Sequence, residues 1–69
     1  MKHVKRRWPP ERIKWLRKKY HETQEEFARR LGITKFGLRL WEQDQYPPSE
    51  MAELLLDRLE IEIRPVRRS

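Results

Sequence analysis

The chain has 69 residues, a length that supports one hydrophobic core and therefore one domain. Charged residues make up 41% of it and hydrophobic residues 36%, so we expect a thin core that gains stability from a partner subunit or a bound ligand. With no cysteine and two histidines, the chain lacks the residues for disulfides, thiol chemistry or a zinc site of its own, so no metal and no cofactor are expected.

Charge is distributed unevenly along the chain. Residues 1–20 contain nine Lys and Arg against one Glu, a net charge of +8. Residues 41–62 contain seven Asp and Glu against Arg58, a net charge of −6, and the last seven residues carry three arginines. A basic side on a small domain favours a polyanionic partner, and nucleic acid is the commonest one. A surface that only keeps the protein in solution is the alternative.

Neither a membrane span nor a leader is visible in the sequence. No apolar run approaches the roughly 20 residues that a spanning helix needs, and the charged N-terminus lacks the apolar stretch of a signal peptide. A cytoplasmic location is therefore expected.

Residues 1–9 show no helical periodicity and contain a run of cations. We predict a basic, flexible arm there, a folded domain over residues 10–60, and a strand or tail over residues 61–69. Pro10 suits the first turn of a helix. The apolar residues of the first predicted helix, over residues 10–20, recur at helical spacing: Ile13, Leu16 and Tyr20.

Trp15 lies off this apolar stripe. We interpret it either as a half-exposed ring or as a packing surface for the arm or for another subunit.

Two short helices joined by a glycine turn are predicted next. Thr23 and Glu26 have the spacing of a capping box, so helix 2 is expected to begin there. Gly32 suits the left-handed conformation that ends a helix, so this helix is expected to stop at Leu31. Thr34 is a second N-cap candidate. The third helix is predicted over residues 35–43, with its first turn free to contact base edges in a major groove.

The C-terminal part reads as a fourth helix followed by a strand or a tail. Ser49 and Glu50 follow a proline loop and are suited to begin a helix that runs to about Leu59. Residues 61–64 alternate apolar and charged side chains, which is typical of a strand, and a lone strand would have to pair with that of a second copy. The predicted dimerisation residues are Ile61, Ile63 and Val66. A continuation of helix 4 or a disordered tail is the alternative.

The motif residues resemble the Cro/CI (XRE) family of bacterial and phage repressors and antitoxins, most of all compact single-domain members such as HigA-type antitoxins. The matching runs are Ile13-x-x-Leu16-Arg17, Thr23-Gln24-Glu25-Glu26-Phe27-Ala28, Leu31-Gly32-Ile33-Thr34 and Leu38-x-x-Trp41-Glu42-Gln43. The resemblance covers about residues 9–59. It implies an all-α, compact bundle of four short helices of the lambda-repressor-like type and a double-stranded DNA partner. Independently of the resemblance, a chain with no cysteine, two scattered histidines and no phosphate-binding glycine loop offers no catalytic cluster, so no enzymatic activity is expected.

The resemblance also implies roles for single residues. Those expected at base edges are Thr34, Lys35, Phe36, Gly37, Arg39 and Leu40. Those expected at DNA phosphates are Thr23, Gln24 and Gln43. Lys5, Arg6 and Arg7 of the basic arm are added to this set because of their charge. The arm is interpreted either as lying in the adjacent minor groove or as a solvated tail that adds only nonspecific affinity. Arg17 and Glu42 match a partly buried ion pair that joins helix 1 to the end of helix 3.

The chemistry of the base-facing residues predicts a half-site that contains G and T. Lys35 and Arg39 are donors suited to guanine O6 and N7, whereas Phe36 and Leu40 offer apolar contact to thymine methyl groups. The alternative is that Phe36 packs back onto the core and Lys35 touches only phosphate.

The sequence departs from the family pattern at single positions. Asp44 stands where glycine is usual, which is tolerable because Asp enters the left-handed region more readily than most residues. Gly37 lies inside the recognition helix, at a cost of roughly 0.5–1 kcal/mol relative to Ala. It is interpreted either as allowing close backbone approach to DNA or as neutral.

The function expected from these observations is sequence-specific DNA binding by a transcriptional regulator, a repressor that sits as a homodimer on an inverted-repeat operator. The alternative is an antitoxin or interaction module that binds a toxin or another protein through the acidic, leucine-rich helix 4. The expected regulator, bacterial or phage in origin, would act in the cytoplasm on the nucleoid.

Overall fold

A computed structural model describes residues 7–63, and this part of the chain is all-helical. The four helices are α1, Pro10–Lys19; α2, Gln24–Leu31; α3, Lys35–Glu42; and α4, Glu50–Ile63. The predicted all-α bundle of four short helices is confirmed.

The core lies where the inward faces of the four helices meet. α3 packs against α1 and α2, and α4 packs against the same two helices. The buried hydrophobic residues are Trp8, Ile13, Leu16, Phe27, Ala28, Leu31, Leu38, Leu56 and Leu59. Because α1 and α2 cover one side of α3, its opposite side is left to solvent.

Local capping fixes the start of α2, the turn after it and the start of α3. The Thr23 hydroxyl accepts from the Glu26 amide at 3.1 Å, and the Glu26 carboxylate accepts from the Thr23 amide at 2.9 Å, which completes the predicted capping box. Gly32 ends α2 in the left-handed region at φ 77°. Thr34 then caps α3 by accepting from the Gly37 amide at 3.0 Å. The turn between α2 and α3 is therefore only Gly32 to Thr34.

The end of the predicted arm differs from the expectation, because Trp8 is fully buried in the core. The Trp8 indole Nε1 donates to Asp57 on α4 at 2.7 Å, and the Arg12 guanidinium lies 4.0 Å from the centroid of its ring. Arg7 forms an ion pair with Asp57. The flexible arm predicted over residues 1–9 is therefore wrong at its C-terminal end, and residues 1–6 lie outside the described part of the chain.

The strand predicted from residue 61 onward is wrong for residues 61–63, which belong to α4. Leu56, Leu59 and Ile63 recur at i, i+3 and i+7 and pack on the core, so helical packing outweighs the local alternation. No strand occurs within residues 7–63. Val66 and the rest of the predicted tail lie outside the described residues.

Within residues 7–63, no helix has the length and apolar character that crossing a membrane requires. No group of three or more His, Asp or Glu side chains in the same range is arranged to hold a metal ion.

Candidate nucleic-acid interface

The outward face of α3 carries three exposed side chains of the predicted base-reading set. Lys35 and Arg39 are exposed, and Phe36 is 64% exposed. Leu38 and Glu42 of the same helix are buried. The alternative in which Phe36 packs back onto the core is therefore wrong. Leu40 and Gly37 are half-buried.

The first turn of α3 is held by the Thr34 cap. The Thr34 oxygen accepts from the Gly37 amide, and its hydroxyl hydrogen remains available to donate. A Cβ on Gly37 would lie 3.3 Å from that same oxygen, so the space beside the cap is tight. The glycine thus leaves the Thr34 hydroxyl unobstructed at the start of α3.

Glu42, at the end of α3, accepts hydrogen bonds from two other helices. Arg17 on α1 donates from Nε at 2.9 Å and from Nη2 at 3.1 Å, in a fork-to-fork arrangement. Gln24 on α2 donates from Nε2 to the same carboxylate at 2.9 Å. The Arg17 Nη1 also donates to the Glu22 carbonyl at 3.2 Å. Because Glu42 is only 5% exposed, these charge-assisted bonds fix how α1, α2 and α3 meet.

Gln24 keeps hydrogen-bonding capacity after this contact. It is the first residue of α2, where backbone N–H groups point away from the helix without an intrahelical acceptor. Its side-chain amide has two N–H donors, of which Glu42 takes one. The α2 N-terminus therefore has a side-chain donor and backbone donors side by side, which is the arrangement that binds a phosphate.

The remaining predicted phosphate residues are in different situations. Gln43 is exposed at the C-cap of α3. Thr23 is exposed, and its hydroxyl accepts from the Glu26 amide in the α2 cap, as the Thr34 hydroxyl does in the α3 cap. Arg7 is paired with Asp57, and Lys5 and Arg6 lie outside the described residues. Only α2 and α3 thus bring predicted DNA-contacting residues together in the described part of the chain.

A family model described as helix-turn-helix matches residues 13–66. The chain belongs to the XRE-type helix-turn-helix family. Members of this family are DNA-binding regulators and not catalysts, so the chain is a DNA-binding transcriptional regulator with double-stranded DNA as its partner. No curated protein and no solved structure matched the chain.

A second polar cluster braces the helix-turn-helix from the side of the α1–α2 connection. Arg30 donates to the Glu22 carboxylate at 3.0 and 2.6 Å, and its guanidinium lies 4.3 Å from the Tyr20 ring centroid. These bonds lower the pKa of the Glu22 carboxyl below its usual value, and burial raises the pKa of the Tyr20 hydroxyl. That hydroxyl donates to the Leu59 carbonyl at 2.8 Å, so the cluster also ties α4 to the motif.

Asp44 adopts the left-handed backbone conformation that was expected at this position, where the family usually has glycine. Asp44 has φ 62°, in the left-handed region that glycine usually occupies after the recognition helix. His21, in the α1–α2 connection, has φ 56° and was not singled out from the sequence.

Sequence reasoning missed the support that this helix-turn-helix receives from its N-terminal side. Trp8 precedes the N-cap Pro9, and Ile13 is the fourth helical residue, which is the spacing of a hydrophobic staple. That signal would have placed Trp8 in the core. The ion pair of Arg12 with Glu60, at 2.8 Å, has no comparable signal in the sequence because the two residues meet only in the folded chain.

Proposed function

We propose that this regulator is a repressor that binds an inverted-repeat operator as a homodimer and keeps polymerase from the promoter. The observation that carries the proposal is the two-sided character of α3. Leu38 and Glu42 are buried in the interior, whereas Lys35 in the first turn, Phe36 and Arg39 are exposed to solvent. A recognition helix inserted into a major groove needs this division.

Base reading is assigned to the first two turns of α3. Lys35 and Arg39 supply donors for guanine O6 and N7, and Phe36 with Leu40 supplies apolar contact to thymine methyl groups. Thr34 and the Gly37 backbone lie at the start of the helix, where base edges come closest.

Phosphate contacts are assigned to the two sides of the recognition helix. Gln24 and Thr23 stand at the start of α2, and Gln43 stands at the end of α3. Glu42 hydrogen-bonds Gln24 and adjoins Gln43 in the chain, so one buried carboxylate sets the spacing of both contacts. Lys5 and Arg6 are proposed to add phosphate contacts, and Arg7 would have to share its guanidinium with Asp57.

A homodimer would present two such helices to one face of DNA. For this family of motifs the half-sites are expected about one helical turn apart, roughly 34 Å from centre to centre.

The test is a gel-shift titration on the promoter of the protein's own gene, against a scrambled duplex of equal composition. The variant Lys35→Ala/Arg39→Ala is expected to lose at least about 30-fold in the ratio of the two affinities, because each bidentate base contact contributes roughly 1–3 kcal/mol of discrimination.

The matched control is Lys14→Ala/Lys18→Ala, which removes two exposed cations from α1 instead. This variant is allowed to bind both duplexes more weakly. The ratio of its affinity for the promoter duplex to that for the scrambled duplex is expected to stay within about threefold of the wild-type ratio, because phosphate contacts carry little sequence information. An unchanged ratio for the α3 double variant would mean that these residues do not read the operator.

A further inference from the structure

The outer face of α4 exposes large apolar side chains that the DNA-binding role does not use. Met51, Leu54 and Ile61 are 76%, 57% and 63% exposed, and Tyr46 in the loop before α4 is 62% exposed. At 100° per residue the three α4 residues fall on the side opposite Leu56 and Leu59, which are buried. We call the set Glu50, Met51, Leu54, Arg58 and Ile61 the outer α4 face.

Two charged side chains, Glu50 and Arg58, frame this apolar surface. Arg7 lies beside the first of them, because Arg7, Glu50, Met51 and Leu54 line one shallow depression. Glu50 lies four residues before Leu54, and Arg58 lies four residues after it. Within residues 7–63, neither side chain forms a hydrogen bond or an ion pair. By contrast, the carboxylates of Asp57 and Glu60 on α4 are already neutralised by Arg7 and Arg12.

The order of these groups is self-complementary. Reversing the helix direction exchanges the negative position with the positive one and leaves Leu54 in the middle. An antiparallel copy of the same helix therefore meets each charge with its opposite, which a parallel copy or an unrelated apolar surface does not do.

We propose that a second copy of this chain covers the outer α4 face, with the two α4 helices antiparallel about a two-fold axis at Leu54. Four residues of helix span roughly 6 Å, so Arg58 of one copy comes level with Glu50 of the other, once on each side of the axis. Ile61 then lies beyond the first residue of α4 in the other copy, towards the loop that contains Tyr46.

This inference rests on the homodimer of the proposed function and assigns it an interface on α4 in place of the predicted tail strand. One helix from each copy makes a small contact, so dissociation in the micromolar range is expected. The pairing is feasible for an acidic helix because Arg7 and Arg12 have neutralised two of its carboxylates within each copy.

The experiment is a sedimentation-equilibrium series on the full chain without DNA, with helical content followed by circular dichroism. The wild type is expected to change from monomer to dimer across the micromolar range. Leu54→Glu is expected to raise the dimer dissociation constant at least about 30-fold, because two carboxylates would face each other at the axis. Trp15→Glu, which changes a 42% exposed side chain on α1, is the matched control and is expected to dimerise as the wild type does.

A charge exchange tests the proposed pairing itself. Glu50→Arg and Arg58→Glu each place like charges opposite each other and are expected to weaken the dimer by about tenfold. The double variant Glu50→Arg/Arg58→Glu restores opposite charges and is expected to dimerise within about twofold of the wild type. A loss caused only by damage to the fold would not be reversed by the second substitution.

Three results would overturn the inference: a wild type that stays monomeric throughout, a Leu54→Glu variant that dimerises unchanged, or a double variant no better than the single ones. A monomeric wild type would mean that a second copy does not cover the outer α4 face. An unchanged Leu54→Glu dimer would mean that another surface forms the dimer. Neither result bears on base reading by α3, which the gel shift measures separately. Conversely, a dimer that depends on Leu54 but lacks operator preference would refute the proposed function alone.

Discussion

At the residue scale, the Glu42 carboxylate is the single group whose removal is expected to lower the free energy of unfolding most. It is buried and accepts from Arg17 twice and from Gln24 once. Glu42→Gln leaves the Arg17 guanidinium, which is 16% exposed, without its counter-charge. We expect the free energy of unfolding to fall by about 3–5 kcal/mol, as measured by urea denaturation.

An exposed pair on α2 is the control for this prediction. Glu25 and Arg29 approach to 3.8 Å, and both side chains are more than half exposed. Glu25→Gln is expected to change the free energy of unfolding by no more than about 0.5 kcal/mol. Equal effects of the two substitutions would mean that the buried carboxylate does not hold the helices together.

Of the two side chains that donate to Glu42, the sequence analysis predicted one and missed the other. The pairing of Arg17 with Glu42 was implied by the resemblance to the family, and the structure has these side chains in contact. The bond from Gln24 to the same carboxylate was not anticipated, because the resemblance assigned Gln24 to a phosphate. A side chain with two donors can serve both purposes, and only the folded geometry reveals the internal one.

At the scale of elements, the cluster that joins the α1–α2 connection to α2 gives a pH dependence. Arg30 lowers the pKa of the Glu22 carboxyl below the unfolded value of 4.5, chiefly through its hydrogen bonds. The folded state therefore binds fewer protons than the unfolded chain around this pH. The stabilisation is complete above the unfolded pKa and is lost as the pH falls through the folded pKa.

Glu22→Gln should therefore destabilise the protein by up to about 1 kcal/mol at neutral pH and by almost nothing in acid below the folded pKa of Glu22. Urea denaturation of both forms across this range measures the difference. Arg17 still donates to the Glu22 carbonyl in the variant, so its effect reports the carboxylate and not the backbone. A difference that stays constant with pH would contradict the assignment to this ion pair.

The elements themselves were predictable where one local signal decides them. The Thr23 capping box and Gly32 fix the ends of α2 by hydrogen bonds and φ within a few residues, so the sequence predicts them well. The chain from residue 61 shows the limit, because its alternation favours a strand locally. Ile63 lies seven residues, or about two helical turns, beyond Leu56. Because Ile63 packs on the core from the same face, the chain stays helical as far as Ile63.

At the scale of the whole molecule, the uneven charge should govern how the domain approaches DNA. The recognition helix carries Lys35 and Arg39 without an acidic residue in its first turn, whereas α4 contains five carboxylates against Arg58. Since α4 packs on α1 and α2 and makes no major contact with α3, its carboxylates belong to a different side of the bundle. A duplex is therefore attracted to one side and repelled by the other.

This charge arrangement gives the last prediction, which concerns the salt dependence of operator binding. The proposed dimer, with about 6–10 phosphate contacts, would release a comparable number of counterions, so its affinity should fall by about 10³–10⁵ between 50 and 200 mM salt. Fluorescence anisotropy with labelled operator measures the slope. A scrambled duplex should give weaker binding with a similar slope, because its phosphates are the same. A flat profile on the operator would mean that binding does not depend on phosphate neutralisation, and it would remove the electrostatic basis of the proposed docking.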